Sequence, residues 1–121
     1  MILTFTLPSP TPVNDLHMPR KGVKGGLTKS QAYTKWRDAA GWTVKMVLAR
    51  EPAKFPGRYT LHLAVPENDQ ADVDARIKAS LDLFEWLGVT GNDRLCWKVT
   101  AERTKFVLFG TVCVTLSDVA P

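Results

Sequence analysis

Residues 73–87 constrain the fold most, because their apolar side chains line two sides of one predicted helix. One side carries Val73, Ile77, Leu81, Phe84 and Leu87. The other side carries Ala75, Ala79, Leu83 and Trp86, and a narrow polar stripe carries Asp74, Lys78, Asp82 and Glu85. Such a helix is covered on two sides: the sheet and the first helix could supply both covers, or a second subunit could supply one of them. Gly88 is a natural residue to end it.

Four segments have the composition of strands. Residues 2–7 and 59–65 alternate apolar and polar side chains, and the alternation turns His62 away from the apolar side. Residues 95–101 and 107–116 form two further strands, and the turn between them predicts a hairpin. A first helix is predicted from about residue 29 to residue 49, with Thr28 and Gln31 as a capping box. Its apolar stripe is Tyr33, Trp36, Ala40, Val44 and Val47.

These elements predict the fold class and the domain organisation. Their order is β-α-β-α-β-β, which is typical of an α+β domain with one mixed sheet and the helices packed on one face. The 121 residues, 45% of them apolar, fit a single domain that spans residues 1–121. No apolar run reaches membrane-spanning length and no signal peptide is recognisable. Cys96 and Cys113 lack partners at metal-binding spacing, so we expect reduced core cysteines in a cytoplasmic protein.

The charge of the chain is unevenly distributed. Residues 1–50 carry eight basic and two acidic side chains, a net charge of +6, whereas residues 51–121 have a net charge of −2. This asymmetry favours a cationic half that meets a polyanion and an acidic half that holds a cation. Residues 8–28 form a long predicted loop in which lysines alternate with glycines, a pattern that suits a phosphate backbone as well as a solvated flexible loop. The candidate DNA-binding residues are Arg20, Lys21, Lys24, Lys29, Lys35 and Arg76.

The candidate catalytic residues are Asp72, Asp74, Lys78 and Asp93. Three carboxylates and a lysine are the usual parts of a site where a hard cation such as Mg²⁺ acts on a phosphodiester. Asp72 and Asp74 converge best if the first precedes the helix and the second lies in its first turn, where Lys78 is on the same face. A purely structural interpretation is also open, with Asp72 as the helix N-cap and Asp74 as a first-turn acid.

Around these residues the sequence resembles the RusA-type Holliday junction resolvases, a family common in bacteriophages and prophages. The segment from Asp72 to Asp82 is similar to the family signature Asp-x-Asp-Asn-x-x-Lys-Ala-x-x-Asp, and Asn92-Asp93 resembles the acidic pair that completes its site. Further likeness lies at Leu7-Pro8, Asn14 and Gln31-Ala32-Tyr33. Ala75 departs from the signature, because the family has Asn there.

The resemblance implies a function. A RusA-like domain is a homodimer that binds four-way DNA junctions by shape and makes paired symmetric nicks with Mg²⁺ or Mn²⁺. Asp72, Asp74 and Asp93 would be metal ligands, and Lys78 would contact the phosphate or stabilise developing charge. The flank of Ala75, Ala79, Leu83 and Trp86 is a candidate dimer contact. Two other classes remain open: a DNA-binding phage protein that has lost catalysis, and an α+β interaction module.

Overall fold

The computed structural model describes residues 1–10, 17–19, 27–29, 31–69, 71–74 and 76–119. Its two helices are α1, Gln31–Arg50, and α2, Ile77–Trp86. Its strands are β1, Ile2–Pro8; β2, His17–Pro19; β3, Leu27–Lys29; β4, Tyr59–Pro66; β5, Cys96–Thr104; and β6, Thr111–Asp118. A short 3-10 turn, Asp93–Leu95, precedes β5.

Four strands form one mixed sheet in the order β1-β6-β4-β5. β6 lies antiparallel to both β1 and β4, whereas β5 lies parallel to β4. A parallel pair needs a crossover, and α2 supplies it between β4 and β5. The α+β prediction with a mixed sheet is therefore confirmed. The hairpin predicted between the last two strands is wrong, because β4 lies between β5 and β6.

The core forms between one face of the sheet and the two helices. Alternate residues of β1 and β6 are buried, and so is most of β4, as period-two alternation requires. Phe5 of β1 and Phe84 of α2 meet with ring centroids 5.2 Å apart. The other face of the sheet is polar, and there the His62 ring contacts Thr100 and Glu102. The prediction that His62 turns away from the apolar side is thus confirmed.

The first helix follows its predicted stripe but not its predicted start. Tyr33, Trp36, Ala40 and Val44 are buried, and Val47 packs against the core. The Trp36 indole N–H donates to the Pro8 carbonyl at 2.9 Å, which ties α1 to the end of β1. The capping box is wrong, because Thr28 lies in β3, opposite Met18 of β2. This two-stranded ribbon also corrects the prediction of an uninterrupted loop over residues 8–28.

The second helix is shorter than predicted. It begins at Ile77 rather than Val73, after an N-cap residue, Arg76, whose side chain makes no capping bond. It ends at Trp86 with Leu87 as the C-cap, and Gly88 follows at the predicted position with φ +74°. The amides of Gly88 and Val89 donate to the carbonyls of Glu85 and Phe84, the bonding pattern of a Schellman motif.

On the two apolar sides of α2, the described residues other than Trp86 are buried or packed against the core of the chain. Ala79 and Leu83 have no exposed surface, so the dimer contact predicted on their flank is wrong for these two residues. Trp86 remains 50% exposed, with the Arg37 guanidinium 4.1 Å from its ring centroid. Burial by α1 and the sheet therefore fulfils the requirement for two covers.

The cysteines, the start of β6 and the length of the helices complete the comparison with the predicted elements. Both cysteines are free, as predicted, but they are only partly buried and are not core residues. The predicted strand at 107–116 begins later, at Thr111, because residues 105–110 turn outside the sheet. Among the described residues, no helix is both long and apolar enough to cross a membrane.

Candidate functional site

The polar stripe of α2 meets the 3-10 turn that precedes β5. The Lys78 ammonium lies 3.1 Å from an oxygen of Asp82, one helical turn later, and 3.5 Å from an oxygen of Asp93. Asp93 is held in place by its turn, in which the Asn92 side chain accepts a hydrogen bond from the Arg94 amide at 2.9 Å. Two of the predicted site residues, Lys78 and Asp93, are thus brought together from different elements.

A third carboxylate completes an acidic cluster beside Lys78. Asp82, Glu85 and Asp93 each offer an oxygen, and these oxygens lie within 4.8 Å of one another. The hydrogen bond to Asp82 raises the pKa of Lys78 above its usual value, and the charge of Asp93 adds to this effect. Lys78 is therefore a protonated lysine that partly neutralises the cluster.

Asp72 and Asp74 lie ahead of α2, and both are exposed. The Asp74 carbonyl accepts a bond from the Ile77 amide at 3.2 Å, in the turn that precedes α2. Neither carboxylate has a hydrogen-bond or ion-pair partner in the described part of the chain. The expected position of Asp74 in the first turn is wrong, and so is the interpretation of Asp72 as the N-cap, because Arg76 occupies that position.

Two arginines fix the backbone that leads to these aspartates. The Arg76 guanidinium donates to both oxygens of Asp69, at 3.0 and 2.9 Å, and also to the Pro10 carbonyl. The Arg103 guanidinium donates to the carbonyls of Asp69 and Ala71, each at 2.6 Å. The hydrogen bond from Arg76 lowers the pKa of Asp69, although burial opposes this. The segment is thereby clamped between β1 and β5.

The predicted DNA-binding residues have different outcomes. The side chain of Arg76 is only 12% exposed and is committed to the Asp69 pair, so we reassign it from DNA contact to support of the loop. Lys35 is exposed on α1. Arg20, Lys21 and Lys24 lie outside the described residues, as do Ala75 and the side chain of Lys29 in β3.

Asp82 and Glu85 were not predicted as metal ligands from the sequence. Both belong to the polar stripe and lie four and seven residues after Lys78, which places them on its face. That spacing was the available signal. Tyr33 of α1 also lies near this face: burial raises the pKa of Tyr33, and the charge of Asp82 adds to this effect.

The donor set suits a hard cation. Carboxylate oxygens are the ligands that Mg²⁺ and Mn²⁺ prefer, and five aspartate or glutamate side chains lie just before α2, along it or just after it: Asp72, Asp74, Asp82, Glu85 and Asp93. Contacts join Lys78 to Asp93, but none of the described contacts joins Asp72 or Asp74 to Asp93. Comparison with models of known protein families gives no match for this sequence, and a search of curated proteins finds no significant match.

Proposed function

We propose that this chain is a metal-dependent, structure-specific endodeoxyribonuclease of the RusA type that resolves four-way DNA junctions by paired symmetric nicks. It would act in the cytoplasm of a bacterial host, in DNA recombination and repair. The proposal joins the resemblance in the sequence with the arrangement of charged side chains around α2. The alternative in which the same fold binds DNA without cutting it is separated by the experiment below.

One observation carries the proposal: Asp72 and Asp74 are exposed carboxylates with no partner among the described residues. Acidic residues at the start of a helix usually cap it or offset its dipole. Here the N-cap is Arg76 and the first turn of α2 contains no acid, so neither structural role applies. Two unpaired carboxylates two residues apart on a clamped segment are free to serve as ligands of a cation.

The proposed roles follow from the chemistry of the side chains. Asp72, Asp74 and Asp93 would hold Mg²⁺ or Mn²⁺, and the bound ion would polarise the phosphate and activate water. Lys78 supplies a fixed positive charge beside Asp93, where it would contact the phosphate or stabilise the charge that develops as the bond breaks. Asp82 orients Lys78 through their ion pair.

Paired nicks imply two copies of the site. A four-way junction has symmetry-related strands, so symmetric cleavage needs two active sites related by a two-fold axis. We therefore propose a homodimer whose DNA-binding surface includes the basic residues of the N-terminal half. Ala79 and Leu83 are removed from the proposed contact, since they are buried within the chain.

Asp74→Asn separates binding from chemistry. The change keeps the shape of the side chain but removes a charge that a hard cation needs, and it also removes a charge that repels the DNA backbone. We expect cleavage of a labelled four-way junction in Mg²⁺ to be abolished, with junction affinity in metal-free buffer unchanged or higher. Asp38→Asn is the matched control, because Asp38 is an exposed aspartate on α1 that belongs neither to the acidic cluster nor to the segment before α2, and it should cut at the wild-type rate.

Each other outcome has a distinct meaning. Cleavage by Asp74→Asn at the wild-type rate would show that the assigned metal site is wrong. Wild-type protein that binds the junction but does not cut it in Mg²⁺ or Mn²⁺ would support the non-catalytic DNA-binding protein. Loss of junction binding by a folded Asp74→Asn variant would place Asp74 in recognition instead.

A further inference from the structure

The connection between β5 and β6 carries three large exposed apolar side chains within four residues. Phe106 is 85% exposed, Leu108 79% and Phe109 68%. We call residues 106–109 the apolar tip. Burying one such side chain is worth roughly 1.5–3 kcal/mol, so a tip that presents three of them to water is suited to a partner.

The tip has a defined conformation. The amide and the hydroxyl of Thr111 both donate to the Leu108 carbonyl, at 3.0 and 2.7 Å, and the Phe106 amide donates to the Thr104 hydroxyl at 3.2 Å. Gly110 has φ +87°, a backbone angle that glycine adopts without strain. Such a turn presents its aromatic rings at little further cost in conformational entropy.

The tip lies at the end of the sheet that also holds the segment leading to Asp72 and Asp74. The Gly110 carbonyl accepts from the Ser9 amide at 2.9 Å, and the Thr104 carbonyl accepts from the Glu67 amide at 3.0 Å. One residue before Thr104, Arg103 clamps the carbonyls of Asp69 and Ala71. The end of β1, the segment before α2 and the tip are therefore bonded to one another at one end of the molecule.

The charge directly beside the apolar tip is basic. The ammonium of Lys105 lies 5.5 Å from the ring centroid of Phe106, and residues 103–117 contain two basic residues and no acid. In the bonded segment Asp69 is paired with Arg76, whereas Glu67, Asp72 and Asp74 are exposed, and a cation held by Asp72 and Asp74 would offset the charge of those two.

We infer that the apolar tip contacts the branch point of the DNA, with Phe106 and Phe109 stacking on bases that are unstacked there and Lys105 on the adjacent phosphate. Aromatic side chains stack on any base, whereas the interior of a linear duplex offers no free base face. An apolar side chain can also insert between base steps. This inference rests on the proposed function and adds to it a means of recognising a branch rather than a linear duplex.

The test measures binding in metal-free buffer containing EDTA, so that cleavage plays no part. Fluorescence anisotropy compares a labelled four-way junction with a linear duplex for Phe106→Ala, Phe109→Ala and the control Trp42→Ala, which removes an equally exposed aromatic ring from α1. Loss of one stacked base at about 1–3 kcal/mol corresponds to roughly 5- to 150-fold weaker junction binding. We expect that loss for the two tip variants, with duplex binding and the control unchanged.

Two further measurements test whether a DNA base is the partner of the tip. A 2-aminopurine at the branch point reports stacking, and its fluorescence change on binding wild-type protein should be absent with Phe106→Ala. Phe106→Leu keeps an apolar side chain but loses the flat ring, so it should resemble Phe106→Ala if bases are the partner. If Phe106→Leu instead binds as wild type, and the alanine variants lose self-association in light scattering, the tip is a contact between copies and the inference is overturned.

The failures are distinguishable. Tip variants that bind the junction as well as Trp42→Ala overturn the inference and leave the proposed function intact. A wild-type protein that binds neither junction nor duplex overturns both.

Discussion

At the scale of single residues, Asp69 and Arg76 hold the segment on which the unpaired aspartates lie. Both side chains of this ion pair are largely buried, with 7% and 12% of their surface exposed, and both ends of the guanidinium are used. Removing one partner of a buried pair leaves the other charge uncompensated, which is the costly case. The pair therefore influences stability as well as the position of the site.

We predict that Asp69→Asn lowers the free energy of unfolding at pH 7 by on the order of 3 kcal/mol. Because Arg76 lowers the pKa of Asp69 in the folded state, the contribution is present above the usual carboxyl pKa and is lost as the pH falls through the folded-state pKa. Urea unfolding of both proteins should show the difference shrinking below about pH 4. A constant difference down to pH 2 would contradict the assignment to the ionised pair.

Lys78 should affect catalysis without affecting cation binding, because it offers no ligand. We predict that Lys78→Ala impairs junction cleavage but keeps the rise in melting temperature that millimolar Mg²⁺ or Mn²⁺ gives the wild type through preferential binding to the folded state. Asp74→Asn should lose that rise. Differential scanning fluorimetry measures both, and equal rises in the wild type and Asp74→Asn would argue against Asp74 as a ligand.

At the scale of secondary-structure elements, the end of α2 depends on one backbone angle. Gly88 has φ +74°, and a β-carbon placed there would meet nothing within 4 Å, so the cost of a side chain is conformational only. We predict that Gly88→Ala destabilises the fold by about 1–2 kcal/mol. Gly57→Ala is the matched control, because its position is equally open and its φ is not positive, and it should be neutral or slightly stabilising. Equal unfolding midpoints for the two variants would contradict this.

Strands and helices in which apolar residues recur at the buried positions were predictable from the sequence. The alternation in β1 and β4 and the stripe of α1 correspond directly to the buried positions. The pairing of the strands and the ends of the helices were not predictable, because they depend on residues that are distant in the sequence. The start of α2 is displaced to Ile77 by bonds from Arg103 and Arg76 to the preceding segment, and β5 pairs with β4 because α2 returns the chain beside it. Neither effect has a local signature.

The candidate site was only partly predictable, because it too depends on contacts between residues that are distant in the sequence. The resemblance and the helical spacing selected Lys78 and Asp93, which lie 3.5 Å apart. Spacing alone could not tell that Arg76, four residues after Asp72, would turn inward to Asp69 instead of outward to DNA. That distinction required knowing that the fold brings Asp69 and the Pro10 carbonyl beside Arg76.

At the scale of the whole molecule, the asymmetry of charge predicts how binding depends on salt. Each phosphate neutralised by a lysine adds about 0.9 to the slope of log affinity against log salt concentration. We predict that Lys21→Ala and Lys24→Ala each weaken junction binding and reduce that slope. Lys54→Ala, outside the basic half, serves as the control for charge removal. An unchanged slope in both variants would remove residues 20–24 from the interface.

The sheet also determines when the protein can fold during synthesis. β1 hydrogen-bonds within this sheet only to β6, and the pairing joins Thr4 to Thr115 across almost the whole sequence. A ribosome adds the intervening residues in on the order of ten seconds. Throughout that interval the apolar face of β1, Leu3, Phe5 and Leu7, has no strand to pair with. β1 therefore stays unpaired until residues 111–118 leave the exit tunnel, so the sheet closes only after nearly all of these residues have been made.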